Sequence, residues 1–120
     1  MTDWSCIKNF KKDEFNCKHT GRNEMQQEFM ERLDELRDLC GFPFVITSGY
    51  RDPSHPDEAK KATKGGTHTL GCAADIRVEG GSQRRDLVAK ALKLGFAGIG
   101  VAKGFVHVDT RNSMPVMWTY

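Results

Sequence analysis

Apolar residues recur along this chain at two periods. Between residues 23 and 41, Met25, Phe29, Leu33, Leu36 and Cys40 are spaced by four, four, three and four, with acidic and basic residues between them. That spacing predicts an amphipathic helix with one buried face. Asn23 stands where a cap would start it, and Gly41 and Pro43 stand where it would stop. A second stripe, Leu87, Val88, Ala91 and Leu92, predicts a helix capped by Ser82, running to about Leu94 and ended by a left-handed Gly95. Both helices read as scaffold, with their charged residues forming solvated faces.

Elsewhere the pattern is that of strands. Residues 42–47 are aromatic and β-branched, and a strand there delivers Ser48, Gly49, Tyr50 and Arg51 at its end. Over 71–78, alternation sets Cys72, Ala74, Ile76 and Val78 on one face and Ala73, Asp75 and Arg77 on the other. Over 105–109 it sends Val106 and Val108 to the core and Phe105, His107 and Asp109 to the opposite side. A strand over 97–102 is joined to it by Lys103 and Gly104, a weaker hairpin signal than Asn-Gly. Residues 1–21 read as loop and short turns anchored by Trp4, Ile7, Phe10 and Phe15. Residues 52–64, with Pro53, Pro56 and a run of charges that includes Lys61 and Lys64, read as a mobile loop with room for a helical turn. His55, between two prolines, is expected to be exposed and outside any site. Together these elements predict an α+β class, a small and mostly antiparallel sheet with helices packed on one face.

Composition narrows the picture. At 120 residues the chain has room for one domain, residues 1–120, with one modest core. A net charge of +2 is too small to argue for nucleic acid. No apolar run approaches the roughly 20 residues that cross a bilayer, which excludes membrane insertion by a helix. No secretory signal is visible at the start, so a soluble product made in the cytoplasm is expected. For that reason Cys6, Cys17, Cys40 and Cys72 are expected as free thiols. Cys17 and His19 form half of a metal-site spacing but lack a second pair, and Cys72 reads as a small buried hydrophobe.

The chemistry lies in His68, Asp75 and His107. Two donors on strands and one on a preceding loop can converge on one ion, and a His, Asp, His set leaves a fourth tetrahedral position open, as catalytic zinc sites do. Taken singly, each has a plainer reading: His68 as a hydrogen-bonded loop residue, Asp75 as a strand surface residue. Arg51 can clamp a carboxylate in bidentate fashion, or form a surface ion pair with Asp52 or Asp57.

Three segments tie these residues together: TSGYR at 47–51, GGTHTLGCAADI at 65–76 and GIGVAKGFVHVDTR at 98–111. In order and spacing they resemble the zinc D-Ala-D-Ala carboxypeptidase family, which includes phage endolysins and murein endopeptidases and shares its fold with hedgehog signalling domains. The resemblance runs over residues 15–118. It implies one Zn2+ per chain held by His68, Asp75 and His107, and hydrolysis of amide bonds in peptidoglycan stem or cross-bridge peptides by metal-activated water. It places Arg51 near the metal in contact with substrate and Trp118 near the cleft; Tyr50 and Ser48, delivered at the same strand end as Arg51, are further substrate-binding candidates. A slightly basic chain suits an anionic wall polymer.

Two positions depart from that family. Many relatives carry an acidic residue three before the last histidine ligand, and others a histidine two before it; here these are Gly104 and Phe105. The nearest acid is Asp109, on the face of His107 and about 7 Å along the strand. It is a candidate catalytic base, or a partner that fixes a ligand ring by hydrogen bonding. Two functions of different class remain open: a monomeric zinc peptidase acting on peptidoglycan peptides, or a zinc-stabilised wall-binding or phage structural module without turnover. The missing signal together with a wall-directed fold suggests action after phage lysis or from a virion.

Overall fold

The computed structural model describes residues 1–60 and 66–120. Lys61 and Lys64 of the loop expected over 52–64, and Gly65, lie outside the described residues. The elements in chain order are α1 (Gln27–Leu39), β1 (Ile46–Ser48), α2 (Pro56–Ala59), β2 (Ala73–Arg77), α3 (Gly80–Lys93), β3 (Gly98–Val101), β4 (Phe105–Asp109) and β5 (Val116–Thr119), with 3-10 turns at Trp4–Cys6 and Lys12–Phe15.

The strands form one sheet in the order β1-β2-β4-β3-β5, antiparallel except where β5 runs parallel to β3. This is the expected α+β class. One face of the sheet, with Ala74, Ile76, Val106, Val108 and Ile99, packs in the same core as Phe29, Leu33 and Leu36 of α1 and Leu87 and Ala91 of α3. Phe29 meets Phe96 edge to face at 6.2 Å. Ile7, Phe10 and Phe15 close this core from the N-terminal segment, and Trp4 packs against it half-buried. On the other face, pairing sets Ser48, Asp75, His107, Gly100 and Trp118 side by side across all five strands. Period-two alternation thus sorts hydrocarbon to the helix side and chemistry to the other.

Several boundaries differ from the pattern. Helix α1 starts at Gln27 because Asn23 is engaged elsewhere: its Oδ1 accepts the Met25 N–H (3.0 Å) and its Nδ2 donates to the Lys12 carbonyl (3.0 Å). Met25 is therefore buried outside the helix. Helix α3 begins before Ser82, where Gly80 takes φ +85° and the Gln83 side chain accepts the Glu79 N–H (2.9 Å). Leu92 faces solvent, so the buried stripe reduces to Leu87 and Ala91 with Val88 partly covered. Strand β1 is shorter than 42–47: Pro43 offers no N–H to a ladder, and pairing begins only where the Val45 carbonyl meets the Arg77 N–H (2.9 Å). Cys72 precedes β2 and is only half-buried, since Gly71 at φ +76° interrupts the alternation before it. The tail, given no element by its pattern, forms β5. His55 is half-buried and caps α2, its Nδ1 accepting the Asp57 N–H (3.1 Å). All four cysteines are free.

Candidate metal centre

Asp75 in β2 pairs directly with His107 in β4, so both side chains leave the same face at the same height. His68 reaches them from the turn before β2, which Gly71 seats against the Glu24 backbone so closely that a Cβ there would lie 2.1 Å from the Glu24 carbonyl oxygen. Asp75 Oδ1 lies 3.0 Å from His107 Nδ1 and 3.4 Å from His68 Nε2. The three ligating atoms fall within 4.8 Å of one another, and all three residues are buried. Among the described residues no second group of His, Cys, Asp or Glu converges in this way. In particular, Cys17 is buried with its Sγ accepting the Asp52 N–H (3.3 Å), and the His19 ring lies against the ring of His55 at 6.0 Å.

The outward nitrogen of each imidazole is held. His68 Nδ1–H donates to the Gly49 carbonyl (2.8 Å), and His107 Nε2–H donates to Asp109 Oδ2 (2.7 Å). With those outer nitrogens held, His68 Nε2 and His107 Nδ1 are the ones turned to Asp75: a bound ion would take their lone pairs, and without one His107 Nδ1–H donates to Asp75 Oδ1 (3.0 Å). Two neutral imidazoles and a carboxylate form a donor set that suits zinc, and the outer hydrogen bonds fix tautomer and ring orientation. Burial alone would raise the Asp75 carboxyl, but hydrogen bonds and charge from His107 and His68 outweigh it and hold the group well below the usual carboxylate range. The same contest, won by Asp109 and Asp75 over burial, raises His107.

Asp109 is fully buried, and its oxygens also accept from the Arg111 backbone N–H (3.1 Å), Nε (2.9 Å) and Nη2 (2.7 Å). It stands behind His107 and is not among the residues that line the cleft. Strand β3 makes the room: a Cβ on Gly98 would sit 2.2 Å from Asp109 Oδ2, and one on Gly100 would sit 2.7 Å from the Trp118 ring. Trp118 in turn covers His107, ring centroids 5.1 Å apart, and carries the Arg111 guanidinium at 5.1 Å.

A cleft of about 930 Å³ opens over the cluster, with Arg51, Phe105, Trp118 and Tyr120 among its walls. Arg51 Nη2 lies 3.8 Å from Asp75 Oδ2; its Nη1 meets Glu58 (3.4 Å) and its Nε donates to Ser48 Oγ (3.1 Å). The ion pair is thus with Glu58 and Asp75 rather than with Asp52 or Asp57; Asp52 pairs with Arg22. Ser48 braces Arg51 instead of lining the cleft. Tyr50 is a correction: it is buried in the core with its hydroxyl donating to Glu24 Oε2 (3.0 Å), and burial pushes its pKa up to about 12. Neighbours on extended backbone point to opposite sides, so Tyr50 and Arg51 cannot both face the cleft. Sequence reasoning passed over Glu58 and Tyr120, for which neither spacing nor period gave a signal.

A family model described as Peptidase M15 matches residues 8–109. The chain belongs to the Peptidase M15 family. That family is of the zinc D-Ala-D-Ala carboxypeptidase type, so the chain is a metallopeptidase by family and the His68, Asp75, His107 cluster is its candidate metal site. A comparison with curated proteins gave no match. All three residues of the cluster lie inside the Peptidase M15 match. Arg111, Trp118 and Tyr120, which wall the cleft, lie beyond it.

Proposed function

We propose that this protein is a zinc-dependent peptidase that hydrolyses amide bonds in peptidoglycan stem or cross-bridge peptides, as a carboxypeptidase or an endopeptidase. The observation that carries the reading is the convergence of His68 Nε2, Asp75 Oδ1 and His107 Nδ1 at an open cleft, with both outer imidazole nitrogens already bound. When bound, zinc supplies the Lewis acidity that amide hydrolysis needs. The chain does the rest. The Gly49 carbonyl and Asp109 keep the two rings aimed inward, and Arg51 is placed to hold a substrate carboxylate. Arg51 and Arg111 line the cleft with Asp75 as the one acid among the described lining residues, and both guanidiniums are also paired behind the wall, with Glu58 and Asp109. Trp118, Phe105 and Tyr120 form an aromatic wall that keeps water from one side.

One observation favours a second reading, a zinc-stabilised wall-binding module without turnover. Gly104 and Phe105 carry no proton-transferring group, and Asp109 is turned away from the cleft. Incubation with murein decides between them: a peptidase releases D-alanine or new amino groups and stops on chelation, whereas a module binds murein and releases neither. For the site itself, His68→Ala and His107→Ala are each expected to bring bound zinc below one per chain. Full zinc in both variants would rule the assignment out.

A further inference from the structure

The wall that β5 contributes to the cleft carries a polar group outside the metal cluster. The Tyr120 N–H donates to the Val101 carbonyl (3.3 Å), which carries the parallel pairing one residue past β5 and sets the phenol on the wall of the cleft. Its ring lies 5.0 Å from Phe105 and 6.3 Å from Trp118, and it lines the same cleft as Arg51, His68, Asp75 and His107. Tyr120 is exposed at the cleft (68 %), and a phenol O–H can donate as well as accept, so it is able to donate to a group bound there.

Several other polar groups near the cluster are already engaged, Arg51 among them, held by Ser48, Glu58 and Asp75. Among the described lining residues, Asp75 and the two histidines belong to the metal cluster, and the Arg111 guanidinium is forked onto Asp109. The Cys72 thiol faces the Thr67 carbonyl at 3.6 Å, and burial pushes its pKa up. Phe105, on the strand face of His107, has no polar atom. Amide hydrolysis builds negative charge on the scissile carbonyl oxygen, and a preorganised donor aimed at that oxygen is among the largest contributions a site can make.

We infer that the Tyr120 hydroxyl donates a hydrogen bond to the scissile carbonyl oxygen as it gains charge, making Tyr120 a catalytic residue of the cleft. This rests on the peptidase reading. A phenol ordinarily titrates near about 10 and so holds its proton at neutral pH.

The test compares the zinc-loaded wild type with Tyr120→Phe, which keeps the ring packed on Phe105, and with Met117→Ala, which disturbs β5 on an exposed side chain. Two measurements are made: cleavage of a D-Ala-D-Ala peptide, and calorimetric binding of the uncleaved dipeptide and of its phosphinate analogue, whose tetrahedral anionic centre mimics the charged oxygen. Tyr120→Phe is expected to lose roughly 100-fold in kcat, with KM within about threefold, and to bind the phosphinate at least about tenfold more weakly while binding the dipeptide unchanged. Met117→Ala is expected to match wild type. A rise in KM alone, or equal loss of affinity for both ligands, would make Tyr120 a general contact and overturn the inference. If the wild type cleaves neither this peptide nor murein, the peptidase reading fails, and the phosphinate decides the rest: selective weakening in Tyr120→Phe keeps the contact, and unchanged or absent phosphinate binding overturns it.

Discussion

Asp109 is a carboxylate with no access to water, an arrangement that survives only because every approach to it is a donor. The hydrogen bonds from His107 and Arg111 outweigh burial and keep it ionised, well below the ordinary carboxylate range. An ionised partner makes the His107 ring a better ligand and fixes which nitrogen carries the proton. Asp109→Asn preserves the shape and removes the charge. It is expected to fold as wild type by circular dichroism and to hold zinc about 10–100-fold more weakly in competition with a chelator. Asp109→Ala also strands part of the Arg111 guanidinium and frees the ring, at a further cost of about 3 kcal/mol, the low end for breaking a buried pair because Arg111 is partly exposed. Unchanged zinc affinity in Asp109→Asn would show that the carboxylate only fills space.

At the scale of elements, strand β3 decides how close its neighbours come. Gly98 and Gly100 face the site, paired with Asp109 and His107, and leave hollows that the Asp109 carboxylate and the Trp118 indole fill. Gly98→Ala is therefore expected to drive the carboxylate off His107 and weaken zinc as Asp109→Asn does, while Gly100→Ala displaces Trp118, leaves zinc affinity near wild type and widens the cleft. Chelator titration of the two variants separates these outcomes; equal effects would mean that a Cβ merely strains the strand. Strict alternation over 73–77 and 105–109 is why the sides taken by Asp75 and His107 were legible in the sequence. Legibility ended where tertiary context set the backbone. Tyr50 is expected at the cleft as one of the residues delivered by a strand end, and a strand end alone does not say which side each residue takes, least of all past the register shift between Ile46 and Ser48. Asn23 has the composition of a cap but spends its amide on the N-terminal segment. Strand β5 has no apolar period of its own, its residues being mostly exposed, and exists because β3 offers a free edge. With β5 unseen, Tyr120 could not be placed.

For the molecule as a whole, the sheet separates stability from chemistry. Phe15, Phe29, Leu33, Leu36, Val106 and Val108 are buried on the helix side, whereas the metal cluster lies on the opposite face. Without metal that cluster still has a way to satisfy itself, since Asp75 Oδ1 lies within reach of both imidazoles. A small zinc finger has no such core and unfolds when stripped. Here the chelated protein is expected to keep its helical and strand dichroism and to melt cooperatively. Zinc at about 1,000 times its dissociation constant should add about 4 kcal/mol, which for a domain of this size raises Tm by roughly 15 °C. His107→Ala should lose that increment, and its metal-free melt should fall below that of the chelated wild type while remaining cooperative, because buried Asp109 loses a donor but the helix-side core is untouched. Loss of secondary structure on chelation alone would mean that the ion holds the two faces together, and the separation of core from site would have to be abandoned.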